Sequence, residues 1–376
     1  MRSQYLLKTV ENGFRRWHRI VNLAGANGNS ILPLMKALQL IAHGEPGKFE
    51  LRELADPQAS PGEVVVEVKA CGLNHLDLWT EEGALPIPVE LPRTPGCEVA
   101  GIVLNPGPQV SGWKPGDRVA VQSNLFCGQC QYCKRTEESM CLNARMLGVQ
   151  CDGGFAEKMV VPQRALVRLS DNVDFKTSAA LTLAGSTAMH MLTNRTQVRA
   201  GDWVLVMGGA SGVGSAAIQI AKALDARLIS TGSTEAKREL ARRLGAEFIL
   251  DTKDPDWTGQ IRKITNKKGV DLVVEHVGGK IFEQLFSCLA RDGTIVTCGA
   301  TTGRDVALNL WPLFVKQQRI VGSYGRNSAD LKATLEWASS GKLQPVIDRT
   351  LPLEKAPEAF QLLRSRKVLG KIVIEP

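Results

Sequence analysis

An α/β protein, with a β-barrel-like first domain followed by a doubly wound parallel sheet, is the architecture the sequence predicts. Two observations predict it. Between about Lys36 and Val161, short β-rich runs (KALQLI, GEVVVEVKA, CEVAGIVLN, DRVAVQ and FAEKMVV) are broken by Gly and Pro, the texture of a small barrel. From about Gly185, the runs WVLVMG, ARLIST, FILDT, DLVVEH, TIVTCG and RIVGSY alternate with helix-like stretches such as GSAAIQIAKAL and EAKRELARRL, which implies parallel strands with both faces covered. The closing stretch, VIDRTLPLEKAPEAFQLLRSRKVLGKIVIEP, reverts to strand, helix and strand, and is expected to rejoin the first domain. The expected divisions are an extension over 1–34, the first domain over 35–184, the parallel sheet over 185–324 and the returning segment over 325–376. A chain of 376 residues exceeds the size at which one core keeps growing, so two domains are the default.

Composition narrows the function classes. With 44% hydrophobic and 22% charged residues the chain reads as soluble and globular, and no apolar run is long enough for a membrane span. The net charge is +8, but Arg2, Lys8, Arg15, Arg16 and Arg19 against Glu11 place +4 of it in the first 34 residues. The remainder is too mildly basic for a dedicated nucleic-acid surface. The segment FRRWHRIV has the character of a basic amphipathic helix or an import leader. The simpler reading is an extension without folded function upstream of Met35, which opens MKALQLIAHGE. Nine cysteines, four clustered and five scattered, fit a reducing cytoplasm with one metal site.

The first chemical signal is GGASGVG, Gly208 to Gly214, set between WVLVMG and a helix-like run. Gly209, Gly212 and Gly214 let the backbone turn tightly and approach a pyrophosphate, while the helix start, at Ser211, Gly212 and Val213, presents free N–H groups to the anion. At the end of the second strand, where an NAD site places an acid against the ribose 2′-hydroxyl, this chain has Gly232, with Ser233, Thr234, Lys237 and Arg238 beyond it. Hydroxyls and a cation without a carboxylate favour NADP(H) over NAD(H). Arg238 and Lys237 are alternatively the solvated face of the next helix.

The second signal is LFCGQCQYCKRTEESMC. Cys127, Cys130, Cys133 and Cys141 follow C-x2-C-x2-C-x7-C, and four thiolates close a tetrahedral shell with no position left for substrate. The lobe over 125–142 is therefore expected to hold one structural Zn2+. The long last spacing and the absence of a following Pro argue against an iron–sulfur cluster.

The segments GEVVVEVKACGLNHLDLW, TPGCEVAGIV, WKPGDRVAV, the cysteine lobe, DGGFAEKMVVP, the glycine turn and LGKIVI, in this order and spacing, resemble the medium-chain dehydrogenase/reductase superfamily from about Lys36 to the C-terminus. The resemblance implies a GroES-like β-barrel domain plus a Rossmann doubly wound parallel sheet, an active site between them, and a homodimer or homotetramer. It also implies where a catalytic zinc would be bound in the alcohol dehydrogenases of the superfamily: at the positions of Asn74, Cys97 and Leu183. Asn is a poor zinc ligand and Leu is none. Leu76 and Trp79 replace the hydroxyl and histidine of the alcohol proton relay. LNHLDLW and LAGSTAMHML are more similar to zinc-independent quinone oxidoreductases and enoyl reductases, in which residues matching Asn74 and Thr187 contact the nicotinamide ribose.

The expected activity is NAD(P)H-dependent reduction of an activated C=C, quinone or carbonyl substrate, a small molecule, without catalytic zinc. Asn74, His75 and Asp77 are the catalytic candidates, with His75 able to protonate near neutral pH. His190 is a weaker candidate, since TAMHML reads as a helix start and packing of its side chain is the alternative role. Val277, Cys298, Gly299 and Ala300, and later Ser323 and Tyr324, follow strand ends where ligands collect. Lys371 matches a family position for a cation near the pyrophosphate. Two alternatives stay open: a zinc alcohol dehydrogenase with rearranged ligands drawn from Cys71, His75, Asp77, Cys97 and Glu98, and a non-enzymatic nucleotide- or nucleic-acid-binding relative.

Overall fold

The computed structural model describes residues 33–376, so the expected 1–34 extension lies outside the described residues apart from Pro33 and Leu34. The first domain is organised by Glu63–Gly72, whose Val-rich sequence suits a strand covered on both faces. One edge of this strand pairs antiparallel with Glu98–Pro106 along most of its length. Its other edge serves two partners. Glu63 to Glu67 pair with Lys158–Pro162, while Cys71 and Gly72 pair with the C-terminal strand Lys371–Glu375. Register shifts between Val65 and Val66 and between Val68 and Ala70 bend the strand so that it can do both.

The seven-stranded sheet runs in the order Ile347–Pro352, Lys371–Glu375, Glu63–Gly72, Glu98–Pro106, Arg118–Val121, Leu166–Arg168, with Lys158–Pro162 beside the third. Val64, Val66, Val99, Val119, Phe155, Phe360 and Ile374 fill its core. The hairpin of Leu34–Ala42 and Lys48–Ala55 is tied on through Leu38 N–H to the Phe155 carbonyl. The sequence reading misses the second arm of that hairpin, because KFELRELA alternates with charges and buries little.

The second sheet has six parallel strands in the order Phe248–Leu250, Arg227–Thr231, Trp203–Val206, Val270–Glu275, Leu289–Thr297, Arg319–Gly322. These are the six runs anticipated from the sequence. Strand alternation sends Val204, Val206 and Val274 to one face, against Ala217, Ile220 and Leu331, and Leu205, Met207 and Val273 to the other, against Trp257, Ile261 and Phe286. The strand order reverses direction between Trp203–Val206 and Val270–Glu275, so the crevice for ligands opens above the carboxyl end of Trp203–Val206. Among the described residues no helix is long and apolar enough to cross a membrane.

The C-terminal strand is part of the first core. Ile374 is fully buried, and Ile374→Ala is expected to destabilise the protein by about 2–5 kcal/mol. The check is a lowered urea midpoint, against a near-neutral control at exposed Leu104.

Candidate active site

The glycine turn is built as its residues require. Trp203–Val206 runs into Gly208, whose φ of +56° lies in the left-handed region that favours glycine. The helix Gly212–Ala223 then starts from Ser211, whose hydroxyl accepts from Gly214 N–H at 2.9 Å. A Cβ on Gly214 would stand 2.3 Å from the Gly208 carbonyl oxygen, so only glycine lets helix and strand approach this closely. Ser211, Gly212 and Val213 line a cavity of about 810 Å³ between the two sheets, whereas Gly209 and Gly214 face the packing beneath it. The free N–H groups and positive dipole end of this helix start suit an anion.

From the second strand, Thr231, Gly232, Ser233, Thr234 and Lys237 reach the same cavity. Thr234 caps the helix Glu235–Leu244. Arg238 is turned aside: its guanidinium bonds the Gly232 carbonyl, Glu235 and Asp251. Lys237 donates to the Arg366 carbonyl at 2.7 Å, and burial together with the Arg366 charge lowers its pKa. Lys237, Arg326, Arg366, Lys367 and Lys371 all line the cavity, and among the described residues no Asp or Glu does. Such a wall selects for anions.

At the junction of the sheets, Asn74 starts the helix His75–Glu82, and Lys371 and Glu98 meet it. The Lys371 ammonium donates to Asn74 Oδ1 at 2.6 Å and to the Leu73 carbonyl at 2.7 Å, and pairs with Glu98 Oε2 at 2.7 Å. Asn74 Nδ2 donates to the same carboxylate oxygen at 3.0 Å. Glu98 Oε1 accepts from the N–H groups of Leu183 and Ala184 at 2.6 and 2.9 Å. Glu98 is fully buried, and each of its oxygens accepts two donors.

This node decides the fit of a catalytic zinc. Of the three positions the family implies, Leu183 offers no ligand and Asn74 has both ends of its amide hydrogen-bonded, with an ammonium ion beside it. Cys97 alone among the three is a ligand type that zinc takes, and one ligand does not hold the ion. The donor set does not fit the ion. The rearranged set fares no better, since among the described residues Cys127, Cys130, Cys133 and Cys141 form the one group of three or more metal-ligating side chains gathered closely enough to hold an ion.

Those four sulfurs lie within 4.8 Å of one another, with Cys130 to Cys133 at 3.5 Å and Cys127 to Cys133 at 4.0 Å. A tetrahedral ZnS4 site with bonds of about 2.3 Å needs spacings of this order. Cys127 N–H points at Cys141 Sγ at 3.2 Å and Cys130 N–H at Cys127 Sγ at 3.4 Å, which stabilises thiolates. The lobe fits structural zinc.

The expected site residues divide accordingly. Asn74, His75, Thr187, Val277, Cys298, Gly299, Tyr324 and Lys371 line the cavity, and Ala300 and Ser323 do not. Asp77 also turns away from it. Its carboxylate accepts from Asn74 N–H at 2.8 Å and Gly96 N–H at 3.1 Å, as a helix cap that burial raises to about 7. His75 is present but neutral, because burial, with Arg366 and Lys371 nearby, lowers it to about 4; it is no acid at neutral pH. His190 packs in the core against Asp330 at 2.8 Å. No motif flags His276, whose Nε2 lies 2.6 Å from Ser211 Oγ. Arg326, Arg366 and Lys367 are equally unflagged, although the cation after VGSYG and the basic run RSRKVLGK were visible signals.

Residues 60–171 match the alcohol dehydrogenase GroES-like domain family, and residues 212–340 match the zinc-binding dehydrogenase family. An alcohol dehydrogenase of Schizosaccharomyces pombe is 31% identical over 337 residues, covering 89% of this chain and 95% of its own. An NAD-dependent alcohol dehydrogenase of Saccharolobus solfataricus is 31% identical over 351 residues, 91% of this chain and all of its own. A crystal structure of an NAD-dependent alcohol dehydrogenase is similar with a TM-score of 0.87 at 38% identity, covering 91% of this chain and 99% of its own. Two sheets joined over an electropositive cleft, and relatives matched along nine-tenths of the sequence, lead to one assignment: the chain belongs to the zinc-type medium-chain dehydrogenase/reductase superfamily and is an oxidoreductase.

Proposed function

We propose that this enzyme reduces activated acceptors, such as an enone, an enoyl ester, a quinone or an aldehyde, with NADP(H) and without a catalytic metal. The observation that carries the reading is the ligand set: Leu183 offers no donor atom, and the Asn74 amide is engaged at both ends, by Lys371 and by Glu98. When bound, the dinucleotide supplies the hydride. The chain's own residues would hold it: the helix start at Ser211 to Val213 would take the pyrophosphate, and Thr187, Val277, Cys298 and Gly299 would line the nicotinamide half. Trp79, Leu85, Ile87, Met146 and Val149 provide apolar walls that exclude water from the acceptor.

NADP(H) is favoured over the NAD(H) of the named relatives by Gly232 in place of an acid, and by Ser233, Thr234, Lys237 and Arg366 around it. The relatives' names favour a second reading, alcohol oxidation at the same cleft. For the lobe we infer one structural zinc per chain. A homodimer, or a tetramer of such dimers, is supported by Arg319–Gly322, an open edge of the six-stranded sheet, next to exposed Leu310, Trp311, Phe314 and Ile320.

Oxidation of NADPH and NADH against a panel of enones, quinones, enoyl-CoA esters, aldehydes and alcohols tests the reading. NADPH with an activated acceptor is expected to lead, and Lys237→Ala to cut the preference for NADPH about tenfold, the loss of one charge-assisted contact of about 1.4 kcal/mol. Turnover confined to alcohols would support the second reading instead. Metal analysis should return about one zinc per chain, and none in Cys130→Ser, with a lowered melting temperature for that variant; two per chain would overturn the metal-free centre. Lys371→Met strands the Glu98 carboxylate and should cost about 3–5 kcal/mol, much of it regained in the Lys371→Met/Glu98→Gln double variant.

A further inference from the structure

Reduction of a carbonyl or enone leaves negative charge on oxygen, and a site without a metal must hold that charge with its own donors. The nearest candidates are already spent or uncharged. Asn74 gives both ends of its amide to Lys371, Glu98 and Gly72, and Lys371 gives its hydrogens to Asn74, Leu73 and Glu98. His75 is neutral, as shown above.

Arg326 differs from all of these. It sits in the turn between Arg319–Gly322 and the helix Ser328–Ser339, 1% exposed, yet it lines the cavity beside Tyr324 and Gly325. Nη2 donates to Ser123 Oγ at 2.5 Å, and Nε has no hydrogen-bond partner. Arg326 makes no ion pair among the described residues, and the two nearby acids are occupied elsewhere: Glu98 by Lys371, and Asp330 by His190. The main chain fixes the turn, since Gln122 Nε2 donates to the Arg326 carbonyl at 3.1 Å. Ser123 and Asn124 lead directly to the cavity wall, because Asn124 pairs with Met146 and Leu147 N–H bonds the Ser123 carbonyl. Tyr324 and Met146 line the cavity beside this turn, on the wall assigned above to the acceptor. A buried cation without a counter-ion is costly, and its cost is relieved when a ligand brings the missing negative oxygen.

We propose that Arg326 is the electrophile of this enzyme, its guanidinium donating to the acceptor oxygen on which negative charge collects. The assignment rests on the metal-free reductase reading. Hydride arrives at the acceptor carbon with its electron pair, the π pair of the acceptor withdraws to its oxygen against the guanidinium, and a proton from water then neutralises that oxygen. The planar fork of donors holds an oxygen anion without itself giving up a proton.

The test uses 4-nitrophenol, whose ionised form absorbs distinctly and mimics an oxygen anion on a flat acceptor, titrated into the full chain with and without NADP+. The wild-type protein is expected to bind the phenolate and to lower its pKa by about one unit or more, the signature of a cation at the oxygen. Arg326→Met should lose phenolate affinity about tenfold and abolish the pKa shift, and Arg326→Lys should recover part of both. NADP+ affinity should fall far less than phenolate affinity in both variants, and the melting temperature of Arg326→Met should not fall, because an unpaired buried charge has been removed. With an acceptor the wild-type enzyme reduces, Arg326→Met should lower kcat about 10²–10³-fold while KM for NADPH holds. Equal phenolate binding and pKa in wild type and Arg326→Met would overturn the assignment. Failure of the wild type to bind any nicotinamide dinucleotide would instead sink the reductase reading, and the dinucleotide-free titration would still decide on Arg326.

Discussion

One buried ion pair joins the parts of this enzyme. Lys371 belongs to the last strand, Glu98 opens the strand that crosses the middle of the first sheet, Asn74 starts the helix after Glu63–Gly72, and Leu183 and Ala184 begin the passage toward the second sheet. The glycine turn rests on the same node. Gly370 N–H bonds the Ala210 carbonyl at 2.7 Å, and a Cβ on Gly212 would stand 2.5 Å from Lys371 Cδ. Buried ionic pairs add little net stability unless their remaining lone pairs and protons are satisfied. Here they are, so the pair fixes geometry, and the floor of the cleft is set where four chain segments meet.

Charge distribution follows from that closure. The acids near the cleft, Glu98 and Asp77, are turned inward and taken up by backbone N–H groups or by Lys371, so their negative charge does not reach the cavity surface. Lys237, Arg366 and Lys367 line it instead. A ligand with several phosphates therefore meets a wall of one sign in a low-dielectric crevice, where each contact counts for more than it would at an exposed surface.

Much of this was legible in the sequence because it depends on local rules. Six strands alternating with helices, the glycine turn after the first of them and the spacing of four cysteines each follow from short-range geometry, and the structure shows the strands, the turn and the gathered sulfurs. Side-chain direction was not legible. Asp77 lies three residues from Asn74, and only the fold shows that its carboxylate closes back on its own helix start. His75 is drawn to the cavity wall, but besides its burial, the charges that help to keep it neutral, on Arg366 and Lys371, come from far along the chain. Arg326 stands in a turn without a motif, and its isolation is visible only once Glu98 and Asp330 are seen to be engaged elsewhere.

The sulfur lobe has a bearing on the cleft through its far side. Ser139 N–H donates to Asn327 Oδ1 at 2.9 Å, and Glu138 accepts from Ser328 N–H at 3.3 Å, so the lobe grips the residues that directly follow Arg326. The four sulfurs do not line the cavity, yet one wall of the cleft is tied to the lobe that carries them. Whatever fixes the lobe therefore also sets the positions of Asn327 and Ser328, and through them the turn that carries Arg326.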